Sequence, residues 1–388
     1  MRNILCLNNI SSRGTSLLTA DYALTDDLSQ AEGILVRSAA MHDMEFPDGL
    51  LTIARAGAGV NNIPLDRAAQ EGIVVFNTPG ANANAVKELI VCALLLGSRG
   101  IVDGVEWVRA NADDPNIAKS VEKAKKAYAG KEIMGKKLGV IGLGAIGALV
   151  ANAALDLGME VYGYDPFVSV GAAWRVQPAV KFVANLDELV AECDYLTIHV
   201  PATKDTIGMI DEHVISLMKD GAVFLNYSRD TLVDNAAMAA ALESGKVACY
   251  VTDFATPEVV KMKNVIVTPH LGASTAEAEE NCAVMAVNQT MAYMERGAII
   301  NSVNYPVCDP GALPAAGTRV CVLHAAEPTT GAAVAAALEA TGAAATGITA
   351  KTRGAYAYTV VDLDQDVTAE AAASALAALE GIYRVRAL

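Results

Sequence analysis

Short runs rich in β-branched residues alternate with Ala/Leu-rich stretches through most of this 388-residue chain. The apolar runs include GILVRS, LLTIARAG, GIVVFNTPG, MEVYGYD, CDYLTIHV, GAVFLNYS, KVACYVTDF and NVIVTPH. Such runs, separated by helical segments, are typical of parallel strands joined by crossover helices. Domains usually hold about 100–200 residues, so a chain of this length needs more than one core. The sequence predicts an α/β protein with two doubly wound parallel-sheet domains of the Rossmann or flavodoxin-like type.

The pattern changes after Ser302, where three prolines (Pro306, Pro310 and Pro314) fall within a short segment that we interpret as a linker. The remaining residues predict the order β-α-β-β-α-β, which is the ferredoxin-like plan. We therefore expect four parts: a substrate-binding domain (1–94, completed by 280–305), a nucleotide domain (95–279), a linker (306–317) and a small C-terminal domain (318–388).

Charge and composition exclude several classes of partner. The net charge of −15 would repel phosphate backbones, so we expect no nucleic acid partner. No stretch reaches the roughly 18 uninterrupted apolar residues of a membrane span, and the start MRNILCLNNI is typical of a strand rather than a signal peptide. The seven cysteines are scattered singly, which favours reduced thiols and no metal site. A cytoplasmic protein without a membrane partner is expected.

The motif GLGAIG follows the apolar strand KLGVI and precedes the helix-like segment IGALVANAALDLG. Alone, a G-x-G-x-x-G string in a chain rich in Gly and Ala is as consistent with an ordinary tight turn. Its context is that of a complete βαβ unit that binds a dinucleotide. Gly142 would make the sharp turn, Gly144 would let backbone N–H groups approach a pyrophosphate, and Gly147 would allow close packing of helix on strand.

Asp165 ends the next strand, EVYGYD, where a carboxylate can hold the ribose hydroxyls of the adenosine. A 2′-phosphate at that place would meet the carboxylate at close range, at a cost of up to about 4 kcal/mol at an effective dielectric near 20. The sequence therefore predicts NAD rather than NADP as cofactor.

Oxidation of an alcohol by a nicotinamide needs a proton carrier and a cation that holds the substrate's carboxylate. His270 follows the strand NVIVTP, Arg229 follows FLNYS, and Asp253 and Glu258 follow another strand, so all four belong to one edge of a parallel sheet. A carboxylate beside His270 would fix its tautomer and raise its pKa, and Glu258 is the candidate. Each residue could instead form an ordinary surface ion pair.

The other histidines are interpreted differently. Structural roles are expected for His42, His213 and His324, whereas His199 could line the cofactor site without doing chemistry.

These residues, with the segments HVPATKDT, NYSRDTLVDNAAMAAAL, VTDFATPE and TPHLGAST, resemble in order the D-2-hydroxyacid dehydrogenases. The resemblance implies that Arg229, Glu258 and His270 are catalytic, with Asp253 near the nicotinamide. It implies a cofactor site of Gly142, Gly144, Ala145, Ile146, Gly147, Asp165, His199, Pro201, Tyr227, Asp253 and Gly272. The segments ILVRSA and ARAGAGVNN imply a substrate site of Arg37, Ser38, Arg55, Gly57, Ala58 and Gly59, to which Lys126 is added.

This chain departs from the family in places that affect its function. Glu258 follows Pro257 where the family usually has Glu before Pro, and Ala145 replaces a basic residue often found in the glycine motif. The C-terminal segment resembles the ACT regulatory domain, whose serine-sensing members use asparagines. This chain has no Asn after Asn304 and carries Ala326 at one such place, so weak or absent serine inhibition is predicted.

Three readings of the activity stay open at this point. Arg37, Ser38 and Arg55 together favour a phosphorylated 2-hydroxy acid as substrate. A glyoxylate or hydroxypyruvate reductase is the nearer alternative, and a non-catalytic NADH-sensing regulator is the more distant one. The segment around Trp107 resembles the family's dimer arm or is a solvated amphipathic helix, and a homodimer or homotetramer is expected.

Overall fold

Three sheets contain all the strands of the computed structural model, which describes residues 1–388. The chain divides into two units, one of Met1–Asn82 with Ala276–Leu388 and one of Ala83–Thr275. No helix combines the length and apolarity needed to cross a bilayer.

The first sheet is parallel, with strand order β2-β1-β3-β4-β5. This is the flavodoxin-like order, as the sequence predicts. The strands GILV (33–36) and VVF (74–76) are apolar and buried along their whole length, as is typical of a parallel sheet that is covered on both faces. The elements of this part are β1 (Arg2–Cys6), α1 (Ser12–Thr15), β2 (Tyr22–Thr25), β3 (Gly33–Val36), β4 (Thr52–Arg55), α2 (Leu65–Gln70) and β5 (Val74–Phe76).

The second unit is built on a seven-stranded parallel sheet of order β12-β11-β10-β9-β6-β7-β8. Counted from β6, this is the Rossmann order with one added strand, and it reverses between β6 and β9. Its elements are α3 (Ala83–Ser98), α4 (Ile101–Ala110), α5 (Ile117–Ala124), β6 (Lys137–Ile141), α6 (Ala145–Asp156), β7 (Glu160–Tyr164), α7 (Val170–Ala173), β8 (Lys181–Phe182), α8 (Leu186–Glu192), β9 (Tyr195–Ile198), α9 (Glu212–Leu217), β10 (Ala222–Asn226), α10 (Asn235–Ser244), β11 (Val247–Thr252) and β12 (Val265–Val267).

The boundary predicted after residue 94 falls inside α3. This helix buries Val86, Ile90, Ala93 and Leu94, spaced as one helical face, in the core that contains α6 and the second sheet. The boundary at 279/280 likewise falls inside the helix α11 (Ala276–Arg296), which packs with the first sheet. The boundary between the two units depends on which core each of these helices faces. The sequence gives no sign of it, since the composition does not change at either point.

The C-terminal residues form the expected βαββαβ arrangement, an antiparallel sheet of order β14-β15-β13-β16. Two helices cover one face in a small core of their own. The elements are β13 (Arg319–Ala325), α12 (Gly331–Glu339), β14 (Ala345–Arg353), β15 (Tyr356–Leu363), α13 (Ala369–Leu376) and β16 (Ile382–Ala387).

The segment predicted as a linker is tied to the surrounding structure. Cys308 is buried and exchanges backbone hydrogen bonds with Ile299. The guanidinium of Arg319 donates to the carbonyl oxygens of Pro310, Gly311 and Ala312 and pairs with Asp362. The prolines therefore interrupt regular structure without leaving this stretch of chain free.

Candidate active site and cofactor site

The three glycines of GLGAIG each have a different structural requirement. Gly142 has φ of 91°, and a Cβ there would lie 2.9 Å from the His199 carbonyl oxygen. At Gly147 a Cβ would overlap the carbonyl oxygen of Gly142, so only glycine lets α6 approach β6 this closely. Around Gly144 there is open space, and this residue caps α6 without any side-chain hydrogen bond to the helix N–H groups. The first turn of α6 can therefore donate N–H groups to an anion.

Asp165 follows β7 and lies beside the glycine turn. One carboxylate oxygen accepts the N–H of Leu143 at 2.9 Å, and the other accepts the N–H of Phe167 at 2.9 Å. Each oxygen keeps a further lone pair for a hydroxyl donor. The carboxylate is thus held by the backbone at the place where the adenosine ribose is expected.

His199 closes β9, next to the glycine turn at the point where strand order reverses. Its Nε2 contacts the Thr197 hydroxyl at 3.0 Å, and its buried Nδ1 has no hydrogen-bond partner. Burial lowers the pKa of His199 to about 3, so the ring is neutral at physiological pH.

The other predicted cofactor residues have varied surroundings. Ala145 and Ile146 begin α6, and Pro201 is exposed beyond β9. Tyr227 packs in the core with α3, and burial raises the pKa of its hydroxyl. The glycine turn, Asp165 and the N-terminus of α6 fit a dinucleotide, whereas Tyr227 is a core side chain.

The buried carboxylate of Asp253 organises the loop that carries His270. Its Oδ1 accepts the Thr268 hydroxyl at 2.5 Å and the Leu271 N–H at 2.7 Å, while its Oδ2 accepts the Gly272 N–H at 2.7 Å. Its backbone carbonyl accepts the His270 N–H at 3.1 Å. Asp253 was expected near the nicotinamide; in the structure both of its carboxylate oxygens bind this loop.

His270 itself is exposed and adopts the left-handed conformation, with φ of 57°. In that region a residue other than glycine has a higher conformational free energy, and the surrounding contacts must offset this cost. The imidazole packs edge-on against the Phe254 ring, with centroids 5.3 Å apart. The loop therefore presents the imidazole at the carboxyl edge of the sheet.

Arg229 lies at the same edge, two strands from β12. It follows β10, is exposed, and donates from Nη1 to the Ser228 carbonyl at 2.6 Å. The buried amide of Asn226 shapes this loop by donating to the Arg229 carbonyl at 2.8 Å and accepting the Ser228 N–H at 3.1 Å. Arg229 takes part in none of the ion pairs of the structure, and only Nη1 of its guanidinium donates to the Ser228 carbonyl, so its remaining N–H groups can bind an anion.

Glu258 is not brought against His270. It is exposed at the start of a short 3-10 turn, and its own N–H and the Thr256 hydroxyl lower the pKa of its carboxyl. No hydrogen bond joins it to His270. Glu258 therefore does not fix the tautomer of the imidazole, contrary to expectation. Because Pro257 precedes it, the acid lies one residue later than in the family pattern.

The predicted substrate residues of the first unit form one cluster. The Asn8 side-chain oxygen accepts the N–H groups of Arg37, Ser38 and Ala39 at 2.9, 2.9 and 3.1 Å. Arg55 donates from Nε to the Arg37 carbonyl at 3.0 Å. Two guanidiniums and a serine hydroxyl therefore lie at adjacent strand ends, the chemistry needed to bind a carboxylate or phosphate.

The loop after β4 completes this cluster. A Cβ at Gly57 would meet the Arg55 guanidinium, so a larger residue there would displace this side chain from its present position. The carbonyls of Gly57 and Ala58 accept hydrogen bonds from Thr78 and Asn77, and Gly59 is half-buried beside them. Lys126 is exposed in a short 3-10 helix of the second unit, away from this loop in the sequence.

Asn8 and Asn226 escaped the sequence reasoning. Each is a polar residue directly after an apolar strand, in LCLNN and FLNYS, and that pattern was the available signal. The pattern does not show which loop such a residue will hydrogen-bond, because that depends on the geometry of the loops.

A Rossmann-ordered sheet with a glycine turn, a ribose-binding carboxylate and an unobstructed helix N-terminus defines a dinucleotide-binding protein. Residues 91–272 match the D-isomer specific 2-hydroxyacid dehydrogenase, NAD binding domain. A hydroxypyruvate reductase of Thermotoga maritima is 35% identical over 288 residues, which is 70% of this chain and 89% of that protein. The chain belongs to the D-isomer specific 2-hydroxyacid dehydrogenase family, and its second unit contains the family's NAD-binding domain.

Other relatives differ in length and name. A D-3-phosphoglycerate dehydrogenase of Archaeoglobus fulgidus is 38% identical over 301 residues, covering 74% of this chain and 54% of that protein. The chain thus spans about half the length of this relative. A crystallised NADPH-dependent glyoxylate/hydroxypyruvate reductase of Sinorhizobium meliloti has the same fold, with a TM-score of 0.66 at 22% identity over 78% of this chain and 98% of that one.

Proposed function

We propose that this protein oxidises 3-phospho-D-glycerate to 3-phosphohydroxypyruvate with NAD, the first step of L-serine biosynthesis. The observation that carries the proposal is the loop held by Asp253, which presents His270 at the edge of the sheet whose glycine turn fits the dinucleotide. The name of the Archaeoglobus relative supports the same substrate.

In this mechanism each residue has a defined task. NAD, when bound, supplies the nicotinamide that accepts the hydride from C2 of the substrate. His270 accepts the proton of the C2 hydroxyl, so that the carbonyl forms as the C–H bond breaks. Arg229 binds the substrate carboxylate and keeps C2 in place, a charge-assisted contact worth roughly 1.5–3 kcal/mol.

The cluster of Arg37, Ser38 and Arg55 supports a phosphorylated substrate. A phosphate monoester carries about 1.5–2 negative charges at neutral pH and has several acceptor oxygens. Two guanidiniums and a hydroxyl match that charge and geometry better than they match a neutral hydroxymethyl group.

Asp165 supports NAD over NADP. Its carboxylate is fixed by two backbone N–H groups and cannot turn away from a 2′-phosphate without breaking them. We propose that the cytoplasm is the site of action and that the active form is a homodimer or homotetramer.

The direct test is NAD reduction with a panel of 2-hydroxy acids, namely 3-phospho-D-glycerate, D-glycerate, glycolate and D-lactate. We expect the phosphorylated acid to give the highest kcat/KM. Positioned proton transfer is typically worth about 10²–10⁴-fold, so His270→Ala should lose that much turnover while NADH still binds. The matched control is His213→Ala, an exposed histidine paired with Asp187. Turnover unchanged in His270→Ala would remove this residue from the mechanism.

A second candidate is reduction of hydroxypyruvate, because the Thermotoga relative that this chain covers almost completely carries that name. The redox pair of this reaction, glycerate and hydroxypyruvate, differs from that of the first candidate only by the phosphate. Competition between hydroxypyruvate and 3-phosphohydroxypyruvate with NADH separates them, and a preference for the plain acid would favour the second candidate.

A further inference from the structure

The side chain of Arg37 is paired with a carboxylate of the protein itself. Its Nη2 lies 2.7 Å from Oε1 of Glu279, in the first turn of α11. Each side chain of the pair is 43% exposed, so a dissolved anion can reach the guanidinium. A carboxylate therefore already lies against one of the groups that would bind the substrate.

Glu279 is not needed to shape the loop that carries Arg37. Asn8 accepts the N–H groups of this loop, and the Arg37 carbonyl accepts the Nε–H of Arg55. These backbone contacts fix the loop independently of the side chain. The pair with Glu279 constrains the guanidinium alone.

We propose that Glu279 is a competing internal anion that sets how tightly substrates bind at Arg37. Its carboxylate pairs with Arg37 until an acidic group of the substrate replaces it, so a ligand that uses this guanidinium binds only after the pair has broken. The inference rests on the proposed function, because it takes Arg37 as a substrate-binding residue.

Displacement of Glu279 is physically feasible. Exposed ion pairs contribute little free energy, and a carboxylate in the first turn of a helix is stabilised by the helix dipole even when it points to solvent. A phosphate group carries more charge than a carboxylate and makes a stronger pair with a guanidinium. A phosphate can therefore displace Glu279, and the pair lowers the apparent affinity of every ligand that needs the Arg37 guanidinium by the fraction of molecules in which it is formed.

The substitution Glu279→Gln removes the charge and keeps the shape. We expect KM for 3-phospho-D-glycerate to fall about two- to fivefold, the range of an exposed ion pair, with kcat unchanged. The neighbouring residue provides the matched control: Glu280→Gln removes the same charge one residue later, where the carboxylate lies 3.7 Å from Arg13, and should leave KM unchanged.

The pairwise origin of the effect is tested in a second background. In Arg37→Met the further change Glu279→Gln should have no effect on KM, because its partner is gone. A KM that is unchanged or raised in Glu279→Gln alone overturns the proposal; a raised value would mean that Glu279 orients Arg37 for the substrate.

A binding measurement separates this inference from the proposed function. Calorimetric titration with inorganic phosphate needs no turnover, and Glu279→Gln should bind phosphate more tightly than Glu280→Gln does. Equal binding by the two variants overturns the role of Glu279. Wild-type protein that reduces no NAD with any 2-hydroxy acid contradicts the proposed function instead.

Discussion

Asp253 and His270 illustrate how one buried side chain can position an exposed one. The Asp253 carboxylate accepts three hydrogen bonds from residues 268–272, and its carbonyl accepts a fourth from His270. These bonds hold His270 in the left-handed region that non-glycine residues rarely adopt. The geometry of the proposed proton acceptor therefore depends on a carboxylate that need not touch the substrate.

Replacing Asp253 by Asn tests this dependence. An amide has one acceptor oxygen and one NH₂ group, so one of the loop's N–H groups would face a donor in a buried place. We expect the free energy of unfolding to fall by about 1–3 kcal/mol and turnover to drop more than NADH affinity. Chemical denaturation and steady-state kinetics measure the two effects. The control is Asp220→Asn, whose carboxylate is exposed and paired with Lys246; equal behaviour of the two variants would contradict the positioning role.

His199 gives a prediction about pH. Burial lowers its pKa to about 3 from an ordinary value of 6.5, so the unfolded chain takes up a proton between these values and the folded protein does not. Its contribution to stability is complete above pH 6.5 and is lost as the pH falls toward 3, by about 1.4 kcal/mol per pH unit. Between pH 6.5 and 5, wild type should therefore lose roughly 2 kcal/mol more than His199→Gln in urea unfolding. Parallel curves for wild type and His199→Gln would exclude this account.

At the scale of elements, the 21-residue helix α11 has its two ends in different surroundings. Its first turn carries Glu279, which pairs with Arg37. The carbonyls of its last turn are capped by the C-terminal sheet: Arg386 donates to Tyr293 and Met294 at 3.2 and 2.8 Å, and the Tyr358 hydroxyl donates to the Gly297 carbonyl just beyond the helix at 2.7 Å. The last carbonyl groups of a helix lack hydrogen-bond partners within it. In α11, side chains distant in the sequence supply those partners.

Removal of the Arg386 cap should destabilise the first unit. Arg386→Met keeps the apolar stem, removes the guanidinium that lies over the Tyr293 ring, and leaves two helix carbonyls without their charged donor. Hydrogen bonds to charged groups are worth about 1.5–3 kcal/mol each, so for two bonds we expect a loss of about 3–6 kcal/mol and faster amide exchange in the last turns of α11. Arg175→Met, which removes one exposed hydrogen bond to Gly171, is the comparison. Exchange in α11 as slow as in wild type would refute the capping role.

At the scale of the molecule, the first unit joins two sheets through one hydrophobic core. Ile4 and Phe76 of the parallel sheet belong to the same buried cluster as Cys321 and Tyr358 of the C-terminal sheet. The opposite face of the C-terminal sheet is covered by α12 and α13. Both faces are therefore covered, and the C-terminal part is packed against its neighbour rather than joined to it by the proline-containing segment alone.

We predict that serine is a poor effector of this chain, because no asparagine follows Asn304. The turn after β13 contains Ala326 and Thr329, and the Thr329 hydroxyl donates to the Glu380 carbonyl at 2.7 Å. We expect millimolar L-serine to leave the rate of NAD reduction unchanged. Strong inhibition at micromolar serine would show that the C-terminal part binds it with other residues.

The local sequence was sufficient wherever the physics is local. The alternation of strand-like and helix-like segments predicted both parallel sheets and the C-terminal βαββαβ order. The glycine spacing predicted a turn, and its three glycines have different steric surroundings. In contrast, only the tertiary structure assigned α3 and α11 to their cores, because an apolar helix face does not specify which core it enters. It also directed Asp253 to the His270 loop, left Glu258 apart from that histidine and paired Glu279 with Arg37. Those contacts join residues distant in sequence, and their distances follow from how the strands and helices pack.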